Sequence, residues 1–355
     1  MEGRIQNLIK VLIVEDSPLI SKILTKILES DHELRVVGVA QTGREGLRLA
    51  TELSPDIITM DIVMPDMDGV EATKQIMAYK PTPILMLTSS HQRKKDEVFR
   101  AISFGALDVI EKTSFEQMLV EDNSKNNLIK KIKFLANIKV IKHPLAKLQQ
   151  SLVSSDSIHL VAETKKSKRD LEFKGVIAIA ASTGGPQALA AILNKLPVDF
   201  PWAILIVQHI ARGFTHGLVE WLSKISAFKI KIAEDNEEIT KCMAYVAPSG
   251  LHMRVAEGGI IRLGDDPPYR NFKPSADILF SSIAKVYNEQ GIGIILTGMG
   301  RDGADGIGEI KKSGGRTIAQ DEKTSVIFGM PKEAIERGAI DKVLSIDKIA
   351  EDLLK

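Results

Sequence analysis

Cysteine is nearly absent: Cys242 is the single thiol in 355 residues. One thiol can form neither an intrachain disulfide nor a cysteine-based zinc cluster, which removes both as sources of stability. Long apolar runs are missing as well. None approaches the ~20 residues that span a bilayer, and the opening stretch MEGRIQNLIK has no apolar core of signal-peptide length. The expectation is a soluble, cytoplasmic protein with no membrane insertion. An excess of charge of one sign is also lacking. The net charge is +1 with 26% charged residues, which gives no electrostatic reason to invoke nucleic acid or an anionic membrane surface. Internal repeats and long low-complexity segments are not found.

What is present is a β/α alternation in two blocks, and the length favours two domains. In the first block KVLIVED, DIITMDIVM, PILMLTSS and DVIEKT read as strands. Between them SPLISKILTKILESD and TGREGLRLATEL carry apolar residues at helical spacing, and DGVEATKQIMAYK does so more weakly. A helix is expected from roughly residue 115 to 140. Residues 141–172 are Ser-rich and then basic and read as a linker, with the Lys165–Arg169 run a solvated stretch rather than a docking patch. Alternation resumes with GVIAIAAS, WAILIVQHI and GIGIILTGMG, while MAYVAPSGLHMRV and GGIIRLGDD suggest an inserted antiparallel pair. The fold class is therefore α/β, with two doubly wound parallel-sheet domains covering residues 8–127 and 173–355.

The C-terminal strand ends of the first block carry Glu15 and Asp16, then Asp61, then Thr88. An open parallel sheet gathers such ends into one crevice. Three carboxylates there need a cation, and hard oxygen donors with room for water suit Mg²⁺. Lys112 follows another strand and adds a positive charge. Taken one at a time, these acids also read as helix caps, Asp16 or Ser17 before the first helix for example. As an ordered set they resemble the receiver domain of two-component response regulators, over about residues 8–127. The resemblance implies a flavodoxin-like fold in which Asp61 accepts a phosphoryl group from a histidine kinase. It also implies that Glu15, Asp16 and Asp61 organise Mg²⁺, with Thr88 and Lys112 on the phosphoryl oxygens. Val63, Val109 and Thr113 depart from the usual receiver pattern, at a position often polar, one often aromatic, and one usually proline.

The strongest strands of the second block end in Ser182, His209 and, a few residues on, Asp302. Serine needs a base within hydrogen-bond reach, and that base needs an orienting carboxylate. Separately each has a simpler job: Ser182 or Thr183 as a helix cap, STGGP as a phosphate cradle, His209 as a buried histidine, Asp302 as a turn residue. The cradle lacks the Walker lysine and the GxGxxG spacing, and the turn lacks the alternating ligands of a calcium loop. Three catalytic residue types at three strand ends make a Ser-His-Asp triad the better reading. Ala180 stands two before the serine, so the GxSxG elbow is absent.

The segments ASTGGPQAL, VQHI, YVAPSGLHM, KPSADILFSSIA, ILTGMGRDGADG and AQDEKTSVIFGMPKEAI are similar to the catalytic domain of chemotaxis protein-glutamate methylesterases. That family also places the domain after a receiver. The resemblance implies a Rossmann-like α/β esterase that hydrolyses glutamate γ-methyl esters on methyl-accepting chemotaxis receptors and deamidates receptor glutamines. Ser182 is then the nucleophile, His209 the general base and acid, and Asp302 the orienting carboxylate. Met299 supplies an oxyanion amide, Thr183 lines the site, and the esterase step needs no cofactor. An unphosphorylated receiver that packs over the triad and blocks it is implied too. Ala211, Trp221 and Lys273 depart from the family pattern, which bears on receptor specificity. The competing readings are a non-catalytic response-regulator scaffold, a DNA-binding output domain, and an esterase of this type in another receptor pathway.

Overall fold

The computed structural model describes residues 8–88, 95–112, 115, 122–138, 140 and 173–355. These fall into two compact units, one within residues 1–167 and one within 168–355. The segment read as a linker, residues 141–172 with its basic run, lies outside the described residues, as does Thr113.

In the first unit β1 (Ile9–Val14), α1 (Pro18–Leu28), β2 (Leu34–Ala40), α2 (Gly43–Leu53) and β3 (Ile57–Asp61) are followed by α3 (Gly69–Tyr79). Then come β4 (Ile84–Thr88), α4 (Lys95–Ser103), β5 (Asp108–Glu111) and α5 (Asp122–Ala136). The five strands are parallel in the order β2-β1-β3-β4-β5, the flavodoxin-like arrangement. Strands β3 and β4 are buried along their whole length, which is why they read as unbroken apolar runs rather than alternating ones. Strand β3 is shorter than the DIITMDIVM run suggests. It stops at Asp61 because the chain folds back on itself there: Gly69 N–H donates to the Ile62 carbonyl at 2.8 Å. A Cβ on Gly69 would lie 1.8 Å from the Asp61 carbonyl oxygen, so only glycine permits that return. The last helix ends at Ala136, short of residue 140.

The second unit begins with β6 (Gly175–Ala181), α6 (Gly185–Leu193), β7 (Trp202–Gln208), α7 (Thr215–Ile225), β8 (Lys229–Ile232) and β9 (Met243–Val246). After β10 (His252–Ala256) and β11 (Ile260–Gly264) come α8 (Ala276–Tyr287), β12 (Gly291–Ile295), α9 (Ala304–Lys312) and β13 (Arg316–Gln320). It closes with α10 (Met330–Glu336), β14 (Lys342–Leu344) and α11 (Ile346–Leu353). Seven parallel strands run β14-β13-β12-β6-β7-β9-β8. The expected inserted pair is corrected in one respect. MAYV is not part of it but joins the main sheet as β9, parallel to β7 and β8, while His252–Ala256 pairs antiparallel with β11. A short apolar run such as MAYV reports burial, here at three successive residues, and says nothing of the partner strand.

The core of this unit packs β6, β7 and β12 against α8, with Leu205, Val207, Leu279, Phe280 and Ile283 fully buried. The chain steps from β6 toward β7 on one side and later resumes at β12 on the other. The reversal of strand order therefore falls beside β6, where open α/β sheets place their ligands. No helix among the described residues is long and apolar enough to cross a membrane.

Candidate functional site

In the second unit Ser182 follows β6, His209 follows β7, and Asp302 lies in the loop between β12 and α9. Strands β12, β6 and β7 are immediate neighbours, so their C-terminal ends converge. Two backbone bonds hold the convergence: His209 N–H donates to the Ala181 carbonyl (2.9 Å) and Ser182 N–H to the Thr297 carbonyl (3.0 Å). Gly298 lies directly against the serine; a Cβ there would stand 2.8 Å from the Ser182 Cβ. Helix α6 has Gly184 as its N-cap, at φ 77°, and no hydrogen bond of the Ser182 hydroxyl is found among the described residues. The serine is thus not spent as a cap. No protein acceptor takes the Met299 N–H among those residues either. Thr183 is buried beside the serine, its carbonyl accepting from Thr297 Oγ1 at 2.9 Å.

The histidine and the aspartate are bonded directly, His209 Nε2 to Asp302 Oδ2 at 2.8 Å. Asp302 is 1% exposed and collects three further donors from the start of α8. Ser275 Oγ and Asp277 N–H donate to Oδ1 at 2.7 and 3.2 Å, and Ala276 N–H donates to Oδ2 at 2.7 Å. Burial pushes this carboxyl up, but the His209 hydrogen bond and charge, with the Ser275 and Ala276 bonds, outweigh it and hold it below the usual range. An ionised carboxylate only accepts, so the proton on that contact belongs to Nε2. The neutral ring then carries its lone pair on Nδ1, which is buried and has no hydrogen-bond partner among the described residues. That is the nitrogen a serine hydroxyl needs.

Four contributors had no role assigned from the sequence. Gln208 Nε2 donates to the carbonyls of both Ser182 (2.8 Å) and His209 (2.9 Å), joining the two turns that carry them. Ser275 is the N-cap of α8 and a ligand of Asp302. His252, fully buried, accepts from Ser275 N–H through Nδ1 (3.2 Å) and faces the Pro267 carbonyl through Nε2 (3.2 Å). Phe272 stacks on the His209 ring with centroids 4.4 Å apart. Gln208 and Ser275 sit inside the VQHI and KPSADILF segments, where a signal existed; Phe272 lies just outside and had none. Lys273, one of the departures from the family pattern, is tied to Asp265 at 2.5 Å.

In the first unit the expected carboxylates do meet. Glu15, Asp16 and Asp61 each present an oxygen within 4.8 Å of the others. Ser17 caps α1, accepting from Ile20 N–H, which leaves Asp16 to the cluster. Lys112 Nζ lies 2.7 Å from Asp61 Oδ2 and 2.9 Å from Glu15 Oε1. Thr88 ends β4 beside Asp61 at the end of β3, and Glu111 pairs with Thr88 just ahead of Lys112. Burial raises the carboxyl pKa of both Glu15 and Asp61, and one lysine does not offset it. Two buried carboxylates and the exposed Asp16, with one lysine among them, form an under-neutralised set of hard oxygen donors that fits a small divalent cation.

Comparison with known proteins bears on both units. A family model described as CheB methylesterase matches residues 177–353, and one described as response regulator receiver domain matches residues 11–122. A protein-glutamate methylesterase/protein-glutamine glutaminase of Pyrococcus horikoshii is 40% identical over 98% of this chain and 93% of its own length. One from Syntrophus aciditrophicus is 42% identical over 98% of both chains. Among solved structures, the Thermotoga maritima CheB methylesterase catalytic domain is 40% identical with a TM-score of 0.50, covering 51% of this chain and 97% of that one.

Proposed function

Because this chain belongs to the CheB methylesterase family and carries a response-regulator receiver domain, we propose that it is a phosphorylation-activated protein-glutamate methylesterase and protein-glutamine glutaminase acting on chemotaxis receptors in the cytoplasm. The receiver occupies residues 8–127 and the catalytic domain residues 173–355, joined by a linker at 141–172. The observation that carries the catalytic reading is the His209–Asp302 pair, whose Nδ1 has no partner among the described residues, at the strand end next to Ser182.

In this reading His209 Nδ1 takes the Ser182 hydroxyl proton as Oγ attacks the ester carbonyl. The tetrahedral oxyanion lies on backbone amides, that of Met299 among them, and one such donor contributes roughly 3–4 kcal/mol to the transition state. His209 returns the proton to the leaving methanol, or to ammonia from a glutamine. Water then attacks the acyl-serine by the same route in reverse and releases a glutamate carboxylate. Asp302 stays ionised throughout and stabilises the imidazolium; its four donors keep it in place for that task. Thr183 buttresses the serine turn.

Asp61 accepts the phosphoryl group of a histidine kinase. Glu15, Asp16 and Asp61 would hold Mg²⁺, which when bound neutralises charge on the acids and the phosphoryl group. Lys112 exchanges its present carboxylate contacts for the phosphoryl oxygens, with Thr88 beside it. Phosphorylation shifts the population toward a more active state. The test is methanol release from methyl-labelled receptors with and without acetyl phosphate. Stimulated release by the wild type and none by Ser182→Ala supports the reading; release by the variant at the wild-type rate refutes it.

A further inference from the structure

We infer that the hairpin from Tyr269 to Phe272 is a positioning device for the His209 imidazole, with Phe272 as its bearing surface and Arg270 as its anchor. The inference rests on the esterase reading and adds to it a residue pair outside the triad.

Phe272 lies nearly parallel to the His209 ring, at a centroid separation of 4.4 Å and an interplanar angle of 17°. The Nε2–Asp302 hydrogen bond fixes one point of the imidazole, and a single bond leaves the ring free to tilt about that point. A flat aromatic against one face removes the tilt. Phe272 also reaches the loop after Met299: a Cβ on Gly300 would lie 3.7 Å from its Cζ. It therefore touches both the base and the segment assigned to the oxyanion. An aromatic face favours a cation over it, so the contact strengthens as His209 takes up the serine proton. Phe272 is only half-buried and stands outside the hydrophobic core, so core packing does not account for its place.

The hairpin that presents Phe272 is tight. Tyr269 and Phe272 exchange both backbone hydrogen bonds, at 3.1 and 2.9 Å, around two residues with positive φ, Arg270 at 50° and Asn271 at 72°. Asn suits such a turn; Arg does not, and strained residues persist where their surroundings over-determine them. Those surroundings are visible. The Arg270 guanidinium donates to the Asp305 carboxylate, lies 3.6 Å from Asp277 Oδ2 and packs 5.1 Å from the Tyr269 ring. Asp277 and Asp305 belong to the first turns of α8 and α9, and Asp277 N–H donates to Asp302. The same helix start thus orients the carboxylate behind His209 and, through Arg270, the aromatic on its face. Both contacts to the imidazole share one frame of reference.

The experiment uses the full-length protein with acetyl phosphate and methyl-labelled receptors, and measures kcat, KM and the thermal midpoint. The variants are Phe272→Leu, Phe272→Tyr, Arg270→Gln and the Phe272→Leu/Arg270→Gln double, with Ser182→Ala as control. Phe272→Leu is expected to lower kcat by about 10- to 100-fold, the cost of a base tilted from its line of approach, with KM unchanged. Phe272→Tyr restores the rate. Arg270→Gln loses less than Phe272→Leu, and the double variant is no slower than Phe272→Leu, because the anchor acts only through the ring it presents. Wild-type kcat in Phe272→Leu with an inactive Ser182→Ala overturns the inference and leaves the triad standing. Losses that multiply in the double variant, together with a fallen midpoint, overturn it in favour of a purely structural role. An active Ser182→Ala removes the esterase reading and the inference with it. If Phe272→Leu does not fold, exposed Arg270→Gln decides: a lower kcat at constant KM supports the device, and an unchanged kcat overturns it.

Discussion

Asp61 and Asp302 occupy related places in two separate sheets, Asp61 as the last residue of β3 and Asp302 in the loop beyond β12, and each is almost wholly buried, at 5% and 1% exposure. Their surroundings treat a negative charge in opposite ways. Around Asp302 four donors converge, three of them from one helix start, and the carboxyl is held below its ordinary range although burial opposes this. Around Asp61 stand Glu15, Asp16, one lysine and one backbone donor, the Val63 N–H, and burial leaves the carboxyl above its ordinary range. The first is a fixed anion whose charge is satisfied inside the fold. The second is short of positive charge, which suits a group that is to bind a cation and be modified. Burial alone says little about a carboxylate's role; the donor count decides it.

The sharpest way to break this comparison is at the serine beside the His209–Asp302 pair. Ser182→Ala is expected to cut kcat by about 10⁴- to 10⁶-fold in the methanol-release assay, since a triad works as a unit. Asp302→Asn keeps the shape but turns an acceptor into a donor toward Nε2, favouring the wrong tautomer, and a loss of about 10⁴-fold in kcat is expected. If Asp302→Asn were nearly as active as the wild type, the contrast between the two aspartates would have no catalytic meaning. The corresponding change in the other sheet, Asp61→Asn, is expected to leave unstimulated hydrolysis in place while abolishing stimulation by acetyl phosphate. A chelator added to the wild type should act in the same direction, removing phosphodonor stimulation and sparing unstimulated hydrolysis. Inhibition of unstimulated hydrolysis by the chelator would place a metal where the esterase reading has none.

The smallest effect concerns a third carboxyl. Burial raises Asp277 to about 6, with Asp302 and Asp305 pushing the same way and the Gly306 N–H and Arg270 opposing. A folded-state pKa above the unfolded one means that stability from this group is present at low pH and lost as pH rises through about 6. Asp302 has the reverse sign: its contribution holds above the unfolded pKa and is lost as pH falls through the depressed folded one. Asp277→Asn keeps an acceptor for the Asp305 and Gly306 N–H groups at the start of α9. It is therefore expected to gain stability relative to the wild type at pH 8 but not at pH 4, by at most about 3 kcal/mol for a shift of about two units. Denaturant unfolding at the two pH values measures it.

Much of this architecture was legible because its signals are local. A strand buried on both faces is a continuous apolar run, as in IITM and VIAIAA, and a helix start shows its Ser, Asp or Gly. The residues that end those runs, Asp61, Ser182 and His209, could be read off the same boundaries. Strand partners could not. MAYV and HMRV look alike in composition, yet one lies parallel in the central sheet and the other antiparallel in a separate pair. Phe272 escaped notice for a related reason: an aromatic next to a turn carries no mark of the ring it will stack on.

The amino-acid sequence by itself determined two α/β units, the acids and lysine of the first, and Ser182, His209 and Asp302 as candidates in the second, since periodicity and motif spacing live within a few tens of residues. Only the tertiary structure decided that Asp302 takes Nε2 and leaves Nδ1 open, that the α8 start keeps that carboxylate charged, and that Gln208 joins the two turns. Those contacts link residues as much as 93 positions apart, and their geometry depends on strand order and helix placement, which no local pattern encodes.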